Sequence, residues 1–366
     1  MRDISLNKKN VLLVMPELYW GGAETQFRAL VQGLDKQNFS LKVLVEHSKR
    51  EKTGQDEQFI SSMIDSVEFD ELDPKNFSAL PLKKQIKLLK TYFSESLLKG
   101  NDAVIIYGGI SVLLIPWLRR KGLTVCYSDR NGGKDSLRQR IKSAFYNKAN
   151  VIICNSRPTY TRRSKKHQNV VFIPNGTRVI QNSISSGYES NNLLMVSRVA
   201  KVKNIECAIE ALCYLPEQFT ITLLGKTEDE VYGAQLREQI SKVRLENRFH
   251  FAGYESDIDQ FFQDSFCTLL TSFEEGMPNA VLESWAHERI AIVSSIPANM
   301  ELVKDSKWHF PCDSPEILAK RVKDLKHLSK EDYDRLSREC KRNVEAEYSI
   351  ERMVKRFERT LESVIV

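Results

Sequence analysis

The sequence has no apolar run long enough to cross a membrane. Its longest candidate, Ser111 to Leu118, is short and is interrupted by Pro116. Residues 1–15 combine basic residues with a short apolar run, which favours a first β-strand over a signal peptide. These absences predict a cytoplasmic protein without a membrane-spanning segment.

Paired cysteines and a dinucleotide-binding fingerprint are also missing. The seven cysteines are scattered without a C-x-x-C pair, and their odd number suits free thiols in a reducing compartment. A glycine turn at Gly21 and Gly22 precedes a helical pattern, but the G-x-G-x-x-G spacing is absent. The turn therefore indicates close approach of some ligand to the backbone, not a nicotinamide or flavin site.

Length and charge indicate two domains. The chain has 366 residues, of which 42% are apolar and 28% charged, as in a soluble globular protein of two domains. Residues 1–185 carry 30 Lys and Arg against 17 Asp and Glu, a net +13, and the remainder carries 24 against 31, a net −7. Opposite charges on the two halves predict different partners for the two domains.

Short apolar runs alternate with helical patterns in both halves, which predicts an α/β fold with doubly wound parallel sheets. The expected strands of the first half are Asn10–Met15, Leu41–Glu46, Asp102–Tyr107, Thr124–Tyr127, Val151–Cys154 and Val170–Ile173. Those of the second half are Asn192–Arg198, Phe219–Leu224, His250–Ala252, Phe266–Leu270 and Ile290–Ser294. Between the halves, the Ser- and Asn-rich stretch Gln181–Asn192 is the expected linker.

The stretch Thr271–Ala286 is predicted to be a tight loop that feeds a helix. Gly276 permits an unusual backbone angle, and Pro278 suits the first helical position. A helix that begins at the carboxyl end of a strand presents free N–H groups to an anion. Because carboxylates repel phosphate but accept hydrogen bonds from hydroxyls, Glu275 and Glu283 predict a sugar beside that anion.

The segment Glu-Gly-Met-Pro-Asn-Ala-Val-Leu-Glu, residues 275–283, resembles the signature of retaining glycosyltransferases of family 4. The resemblance implies the GT-B fold, with two Rossmann-like doubly wound domains facing a cleft. It implies that Glu275 lies beside the donor sugar and that Glu283 binds the ribose. The implied donor-binding residues are Gly21, Gly22, Arg198, Lys203, Glu275, Gly276, Met277, Pro278, Asn279, Ala280 and Glu283.

The resemblance also implies domain boundaries. Residues 1–180 are expected to form the acceptor-binding domain and residues 190–348 the nucleotide-sugar-binding domain. Residues 349–366 are expected to form a helix that crosses back to the first domain.

Arg198 and Lys203 resemble the family's Arg-(four residues)-Lys element, whose cations hold the nucleotide diphosphate. Fixed cations stabilise the charge that a leaving diphosphate gains, so the resemblance implies catalysis by Glu275, Arg198 and Lys203 without a metal or other cofactor. Two D-x-D pairs, Asp257–Asp259 and Asp332–Asp334, stand where helices begin. We interpret them as helix caps, from Ser256 or Asp257 and from Ser329, and not as metal ligands.

The sequence departs from the family pattern at two strand ends and in one loop. The strand ends that carry Tyr107-Gly-Gly109 and Ser128-Asp-Arg-Asn131 lack the histidine that many relatives place near the reacting carbon. Ser128, Asp129 and Arg130 are therefore candidates for acceptor contacts. Ala286-His-Glu-Arg-Ile290 replaces the usual Ala-x-Gly-x-Pro, and Glu301 stands where relatives have another glutamate near the site.

The predicted function is transfer of a hexose or N-acetylhexosamine from a nucleotide diphosphate sugar, with UDP favoured, to a glycan or lipid-linked diphosphate acceptor in surface polysaccharide synthesis. A sugar-nucleotide epimerase of the same fold is one alternative, but the first half lacks the expected carboxylate and histidine set. A nucleic-acid- or anion-binding protein is another alternative. The basic helix near Lys83–Lys90 lacks the interleaved aromatics that stacking requires, so nucleic acid is not expected as a partner.

The stretch Pro81–Phe93 repeats apolar residues at helical spacing with lysines between them. It begins a segment, residues 81–178, that carries 20 Lys and Arg against four acids. A basic amphipathic helix of this kind either lies on an anionic bilayer or packs on its own domain with solvated lysines. Because the resemblance implies a lipid-linked acceptor, we expect peripheral attachment to the inner face of the plasma membrane.

Overall fold

The computed structural model describes residues 8–16, 21–46, 68–71, 80–93, 98–130, 137–181, 186–255 and 257–365. The chain divides into two compact units. The first contains Met1–Asn175 together with Ile350–Val366, and the second contains Gly176–Ser349.

The first unit is built on a parallel sheet in the order β3-β2-β1-β4-β5-β6-β7. Its described strands are β1 Lys9–Met15, β2 Phe39–Val45, β3 Glu68–Glu71, β4 Ala103–Ile106, β5 Thr124–Asp129, β6 Val151–Cys154 and β7 Val170–Phe172. Its described helices are α1 Gly22–Gly33, α2 Leu82–Tyr92, α3 Ile115–Arg120, α4 Leu137–Tyr146 and α5 Arg157–Ser164.

Both faces of this sheet are covered, which explains why its strands are apolar at successive positions. Along β1, Val11 and Leu13 belong to one core cluster, whereas Leu12 and Val14 belong to a second. The unit is therefore doubly wound, as the alternation of strands and helices predicts.

The second unit repeats the plan with a parallel sheet in the order β10-β9-β8-β11-β12-β13. Its strands are β8 Asn192–Val196, β9 Thr220–Leu224, β10 Phe249–Gly253, β11 Cys267–Leu270, β12 Ile290–Ser294 and β13 His309–Phe310. Its helices are α6 Ile205–Cys213, α7 Glu230–Lys242, α8 Asp259–Gln263, α9 Asn279–Ala286, α10 Pro297–Leu302, α11 Pro315–Lys326 and α12 Lys330–Asn343.

The last helix, α13 Ile350–Val364, packs on the first unit. Met353, Phe357 and Leu361 recur at helical spacing and are buried in the core cluster that also contains Phe27 and Leu30 of α1. Close packing leaves no room for a side chain at Gly33, where a Cβ atom would meet Val354. The end of the chain thus supplies part of the core of its beginning.

The expected strands all form, and Val151–Cys154 and Ile290–Ser294 keep their predicted ends. Two strands were not predicted from the sequence: β3 and β13, which are the outermost strands beside β2 and β12. Across the described residues, no helix combines the length and the apolar character that crossing a bilayer requires.

Candidate functional site

The loop between β11 and α9 is held by hydrogen bonds to two neighbouring segments. The backbone N–H of Phe273 donates to the carbonyl of Val202 at 2.9 Å, and the Thr271 hydroxyl donates to the carbonyl of Lys203 at 2.7 Å. On the other side, the Ser294 hydroxyl donates to the carbonyl of Ser272 at 2.6 Å. The loop is therefore rigidly placed at the carboxyl ends of β11 and β12, where ligands of open parallel sheets bind.

Lys203 and Glu275 meet in this loop. The Lys203 Nζ lies 2.6 Å from Glu275 Oε1, and the Ser272 hydroxyl donates to the same oxygen at 2.7 Å. The two side chains are only 15% and 13% exposed, so water screens their attraction weakly. The structure thus brings together two residues that the sequence analysis assigned to one site.

The turn that carries Lys203 is built for this contact. Lys201–Lys203 form one turn of 3-10 helix, and Asn204 follows in the left-handed conformation with φ of 49°. The Asn204 side-chain amide donates to the carbonyls of Cys312 at 2.8 Å and Thr271 at 3.3 Å. Asparagine tolerates this backbone region better than most residues, and its amide ties the turn to the loop.

Arg198, the second predicted cation, has a different partner. It follows β8 and forms an ion pair with Glu228, and both side chains are 45% exposed. An exposed pair of this kind is easily exchanged for another anion, because it contributes little to stability. Glu228 had no recognisable signal in the sequence.

Glu283 lies on α9 with its carboxylate largely removed from water. Desolvation raises the pKa of this carboxyl from 4.5 to about 7. Within the described part of the chain, no side chain or N–H group offers the carboxylate a hydrogen bond, whereas Glu275 has two such donors. A carboxylate in this state is suited to accept hydrogen bonds from a ligand.

The rest of the loop departs from expectation in two details. Gly276 is not among the glycines with positive φ, so the loop does not use the left-handed region that a glycine permits there. Pro278 is the residue before the helix and Asn279 is the first helical residue, one position later than predicted. Met277 packs against the core, Ala280 is buried and Glu301 lies on α10.

The loop after α9 shows how this chain accommodates the missing family glycine. Glu288 stands at that position and adopts the left-handed conformation with φ of 54°. Its carboxylate pairs with Lys341 of α12 at 3.0 Å, which offsets part of the strain. Next to it, Arg289 is fully buried and donates to the backbone carbonyls of Phe262, Gln263, His287 and Glu288.

The two D-x-D pairs take part in local hydrogen bonds. The Ser329 hydroxyl accepts from the N–H of Asp332, which confirms the predicted cap of α12. Asp257 accepts from the N–H of Asp259 at 3.1 Å, and Ser256 lies outside the described residues. Asp259 contacts both Arg178 and His287, at 2.5 and 3.0 Å. Both pairs thus have structural contacts.

In the first unit, Ser128, Asp129 and Arg130 come at the end of β5. The Asp129 carboxylate forms a buried ion pair with Arg163 at 2.7 Å, so this oxygen is occupied inside the protein. Arg130 donates to the Ser128 hydroxyl at 3.1 Å and to the Asn175 side-chain oxygen at 2.7 Å. Asp129 therefore has a charged partner, whereas Arg130 beside it is held by the neutral oxygens of Ser128 and Asn175.

The glycine turn opens α1. Gly21 precedes the helix with extended backbone, φ of −159°, and its carbonyl accepts from the Thr25 hydroxyl at 2.9 Å. Any residue could adopt this backbone, so only the missing side chain distinguishes the glycine. Gly22 is the first helical residue and is exposed.

Neither histidine of the first unit is placed by the described structure as a general base for the reaction. The His167 ring contacts the carbonyl of Ala149 at 3.1 Å and accepts from the N–H of Asn169 at 3.1 Å. His47 lies outside the described residues. His167 therefore serves the loop that contains it.

Glu46 was missed by the sequence analysis. It is fully buried after β2, and its two oxygens accept from the N–H groups of Ile110 at 2.9 Å and Ser111 at 2.7 Å. Burial raises the pKa of this carboxyl. Lys142 donates to the carbonyl of Gly109 at 2.9 Å, so the loop after β4 is held by two charged side chains. No motif could have revealed Glu46, because its partners are backbone groups.

Substitutions of two glycines should separate the effect of the Glu46 contact with the loop after β4 from ordinary backbone strain. Gly109 has φ of 71° and a Cβ atom there would collide with the Glu46 carboxylate, whereas Gly122 has φ of 89° and open space. We expect Gly122→Ala to cost about 1 kcal/mol and Gly109→Ala roughly 3 kcal/mol. Urea unfolding of both variants measures the difference. Equal losses in the free energy of unfolding would mean that the loop after β4 moves to accommodate the new side chain and that Glu46 does not hold it in place.

The second unit is similar to a known protein family. Residues 178–343 match the family model described as glycosyl transferases group 1. The capsular polysaccharide biosynthesis glycosyltransferase CapH of Staphylococcus aureus is 26% identical over 176 residues, which make up 45% of this chain and 48% of that protein. The chain therefore spans about half the length of the curated relative that it matches.

Solved structures extend the likeness to the whole chain. HepE of Anabaena, solved with UDP and glucose, has a TM-score of 0.83 at 16% identity and covers 97% of this chain and 100% of its own. Sucrose-phosphate synthase of Thermosynechococcus elongatus has a TM-score of 0.77 at 14% identity, with coverage of 97% and 99%. These likenesses confirm the predicted fold class, GT-B.

Proposed function

We propose that this protein is a retaining glycosyltransferase of family 4. It moves a hexose or N-acetylhexosamine from a UDP-sugar to a glycan or lipid-linked diphosphate acceptor in surface polysaccharide synthesis. The observation that carries the proposal is the pairing of Lys203 with Glu275 at the entry to α9. About one turn into that helix, the Glu283 carboxylate has no hydrogen-bond donor among the described residues. The match of residues 178–343 to the group 1 family model and the likeness to the capsular glycosyltransferase support the proposal.

The proposed division of labour follows from the hydrogen-bonding capacity of each group. Lys203 has three N–H donors, of which Glu275 takes one, so the others are available to a diphosphate. Glu275 Oε2 is available to a sugar hydroxyl, and Glu283 to the ribose. As the bond between the sugar carbon and the diphosphate oxygen breaks, Lys203 and Arg198 stabilise the growing negative charge.

Retention needs no protein base in this proposal. The acceptor hydroxyl attacks the face of the sugar that the diphosphate leaves, and the leaving phosphate oxygen takes the hydroxyl proton. The new carbon–oxygen bond then replaces the broken one with the same configuration. This scheme is compatible with His167 serving its own loop.

A panel of nucleotide sugars, each tested for melting shift and for transfer, examines the proposal. A donor present at 100 times its dissociation constant stabilises the protein by about 2.7 kcal/mol. We expect a UDP-sugar to give the largest shift and to be consumed only when an acceptor is added. Interconversion of one UDP-sugar into its epimer would instead support the alternative enzyme, and no shift with any nucleotide would contradict the donor site.

We further propose that α2 attaches the protein to an anionic membrane. Leu89 and Phe93 are buried in the core of the first unit, which is the packing expected of an ordinary helix. Leu82 and Leu88, however, are 55% and 37% exposed. Lys83, Lys84, Lys87 and Lys90 are exposed as well. Apolar and basic side chains together on an exposed surface suit a bilayer with anionic lipids.

Sedimentation with vesicles tests this attachment. We expect binding to vesicles that contain anionic lipid, little binding to neutral ones, and loss at 1 M salt, where the screening length falls to about 3 Å. Replacing Lys83, Lys84 and Lys87 by Gln should weaken binding, because each cation near the surface adds roughly 1 kcal/mol. Lys242→Gln with Lys320→Gln, two exposed lysines of the second unit, is the control. Equal binding to both kinds of vesicle would refute the proposal.

A further inference from the structure

Two arginines that are buried in the described part of the chain, Arg163 and Arg289, have clear structural roles. Arg163 is 3% exposed and forms an ion pair with Asp129. Arg289 is fully buried and donates to four backbone carbonyls, which satisfies both ends of its guanidinium. Their charges are neutralised by a carboxylate in the first case and by converging carbonyl dipoles in the second.

Arg130 lacks both kinds of compensation. Its Nε and Nη1 donate to the neutral oxygens of Ser128 and Asn175, and no described carboxylate pairs with it. Its Nη2 is buried, and apart from the neighbouring Tyr107 no described residue offers it a hydrogen-bond partner. Burial lowers the pKa of the guanidinium, and the nearby Tyr107 only partly offsets that effect. A buried cation left in this state costs free energy, so its retention needs a reason.

The guanidinium is also fixed in position. It lies over the ring of Tyr107 at 5.5 Å and over the ring of Phe357 at 5.9 Å. Phe357 comes from α13, so the last helix of the chain helps to hold an arginine at the end of β5. Preorganised donors of this kind bind a ligand at little entropic cost.

Other unused polar atoms surround the arginine. Asn155, only 4% exposed, donates to the Asn175 oxygen that also accepts from Arg130, and its own side-chain oxygen has no partner. The Tyr107 hydroxyl is likewise buried; it lies beside the Arg130 guanidinium and has no other hydrogen-bond partner in the described part of the chain. The cluster lies at the carboxyl ends of β4, β5 and β6, the edge at which parallel sheets of this class bind ligands.

We propose that Arg130, Tyr107 and Asn155 form a subsite for a phosphate group that belongs to the acceptor. The Nη2 of Arg130 and the Tyr107 hydroxyl donate to phosphate oxygens, and the Asn155 oxygen accepts from a neighbouring sugar hydroxyl. This fits a sugar phosphate or a lipid-linked sugar diphosphate and not a neutral glycan. The assignment of this phosphate to the acceptor rests on the proposed transferase function. The binding of an anion rests only on the cluster of Arg130, Tyr107 and Asn155.

Calorimetric titration of inorganic phosphate into the full-length protein, with and without saturating UDP, tests the subsite. We expect phosphate to bind in the presence of UDP and Arg130→Gln to weaken it at least about tenfold, as the loss of a charged hydrogen bond near 1.4 kcal/mol implies. Arg130→Lys keeps the charge without the planar fork and should recover part of the affinity. Arg120→Gln, on the exposed surface, is the matched control and should bind phosphate normally.

Melting in the absence of ligand separates this role from a structural one. Because Arg130→Gln removes an uncompensated buried charge, we expect its melting temperature to equal or exceed that of the parent protein. A lower melting temperature with unchanged phosphate affinity would show that Arg130 only supports the fold, and would overturn the proposal. Competition between UDP and phosphate, with weaker UDP binding in Arg130→Gln, would assign the group to the donor and also overturn it.

The two proposals fail in distinguishable ways. If UDP does not bind but phosphate binding depends on Arg130, the transferase function fails and the anion subsite stands. If a UDP-sugar binds and reacts while phosphate binding is the same in Arg130→Gln, the subsite fails and the transferase stands.

Discussion

Replacing Lys203 by alanine is expected to slow sugar transfer by at least about tenfold, or near 1.4 kcal/mol of transition-state stabilisation. The substitution removes the cation that faces the leaving diphosphate and leaves Glu275 without its ion-pair partner at 13% exposure. Glu275→Ala should also lower turnover, because it removes a contact beside the reacting sugar. Steady-state kinetics with the UDP-sugar identified in the panel measure both effects.

The contact between these residues makes their effects interdependent. We expect Lys203→Ala with Glu275→Ala to be much less damaging than the product of the single losses, because each single variant already breaks the same 2.6 Å pair. Arg198→Ala should lose at least about tenfold as well, and because its ion-pair partner is Glu228, this variant leaves the pair of Lys203 and Glu275 intact. Lys242→Ala is a surface control. Full rates in both single variants would contradict the proposed site.

The same kinetic assay also tests whether sugar transfer requires a metal ion. We expect transfer to survive EDTA, because the cations of Lys203 and Arg198 take the place of a metal in the proposal. Activity abolished by EDTA and restored by manganese would contradict metal independence and would return attention to the D-x-D pairs.

Replacing Glu283 by glutamine is expected to stabilise the protein at high pH and to weaken nucleotide binding. The folded pKa of about 7 exceeds the ordinary value of 4.5, so the folded state holds the proton more tightly than the unfolded state. The stability that this proton contributes is present below pH 4.5 and is lost as the pH rises through 7. At pH 8 the variant should gain on the order of 1 to 3 kcal/mol over the parent, and at pH 4.5 almost nothing.

Nucleotide binding should favour the ionised form of Glu283, whereas folding stability favours the protonated form. If ribose hydroxyls donate to the ionised carboxylate, UDP affinity of the parent protein should rise between pH 6 and pH 8, whereas Glu283→Gln should bind weakly with a flatter profile. Melting temperature and UDP titration across this range measure both trends. Glu217→Gln, an exposed control, should change neither. A variant that is less stable than the parent at pH 8 would contradict the desolvated carboxylate.

Much of the fold was predictable because its signals are local. Apolar runs of four to seven residues mark the central strands, since a parallel sheet covered on both faces needs apolar side chains at successive positions. The two missed strands lack that signal: β3 reads Glu-Phe-Asp-Glu, and β13 contains only two residues. Both stand at sheet edges, where pairing with one neighbour decides whether a segment becomes a strand.

The candidate site was predictable only in part. The loop and helix at residues 271–286 carry their own glycine, proline and glutamate pattern, so Glu275 and Glu283 could be singled out. The tightness of the contact between Lys203 and Glu275 could not, because 72 residues separate them along the chain. Glu46 was invisible for a related reason, since it holds backbone groups 64 and 65 residues away and any loop sequence offers such groups.

The sequence by itself determined the doubly wound α/β class, the strand order along the chain and the loop that feeds α9, because these depend on periodicity and turn chemistry within short windows. Only the tertiary structure decided the electrostatic state of the charged groups. Asp129 is paired with Arg163, Glu283 is desolvated, and Arg130 is buried among neutral oxygens. The free energy of a charge depends on the dielectric and the partners around it, and those are supplied by segments that meet only when the chain has folded.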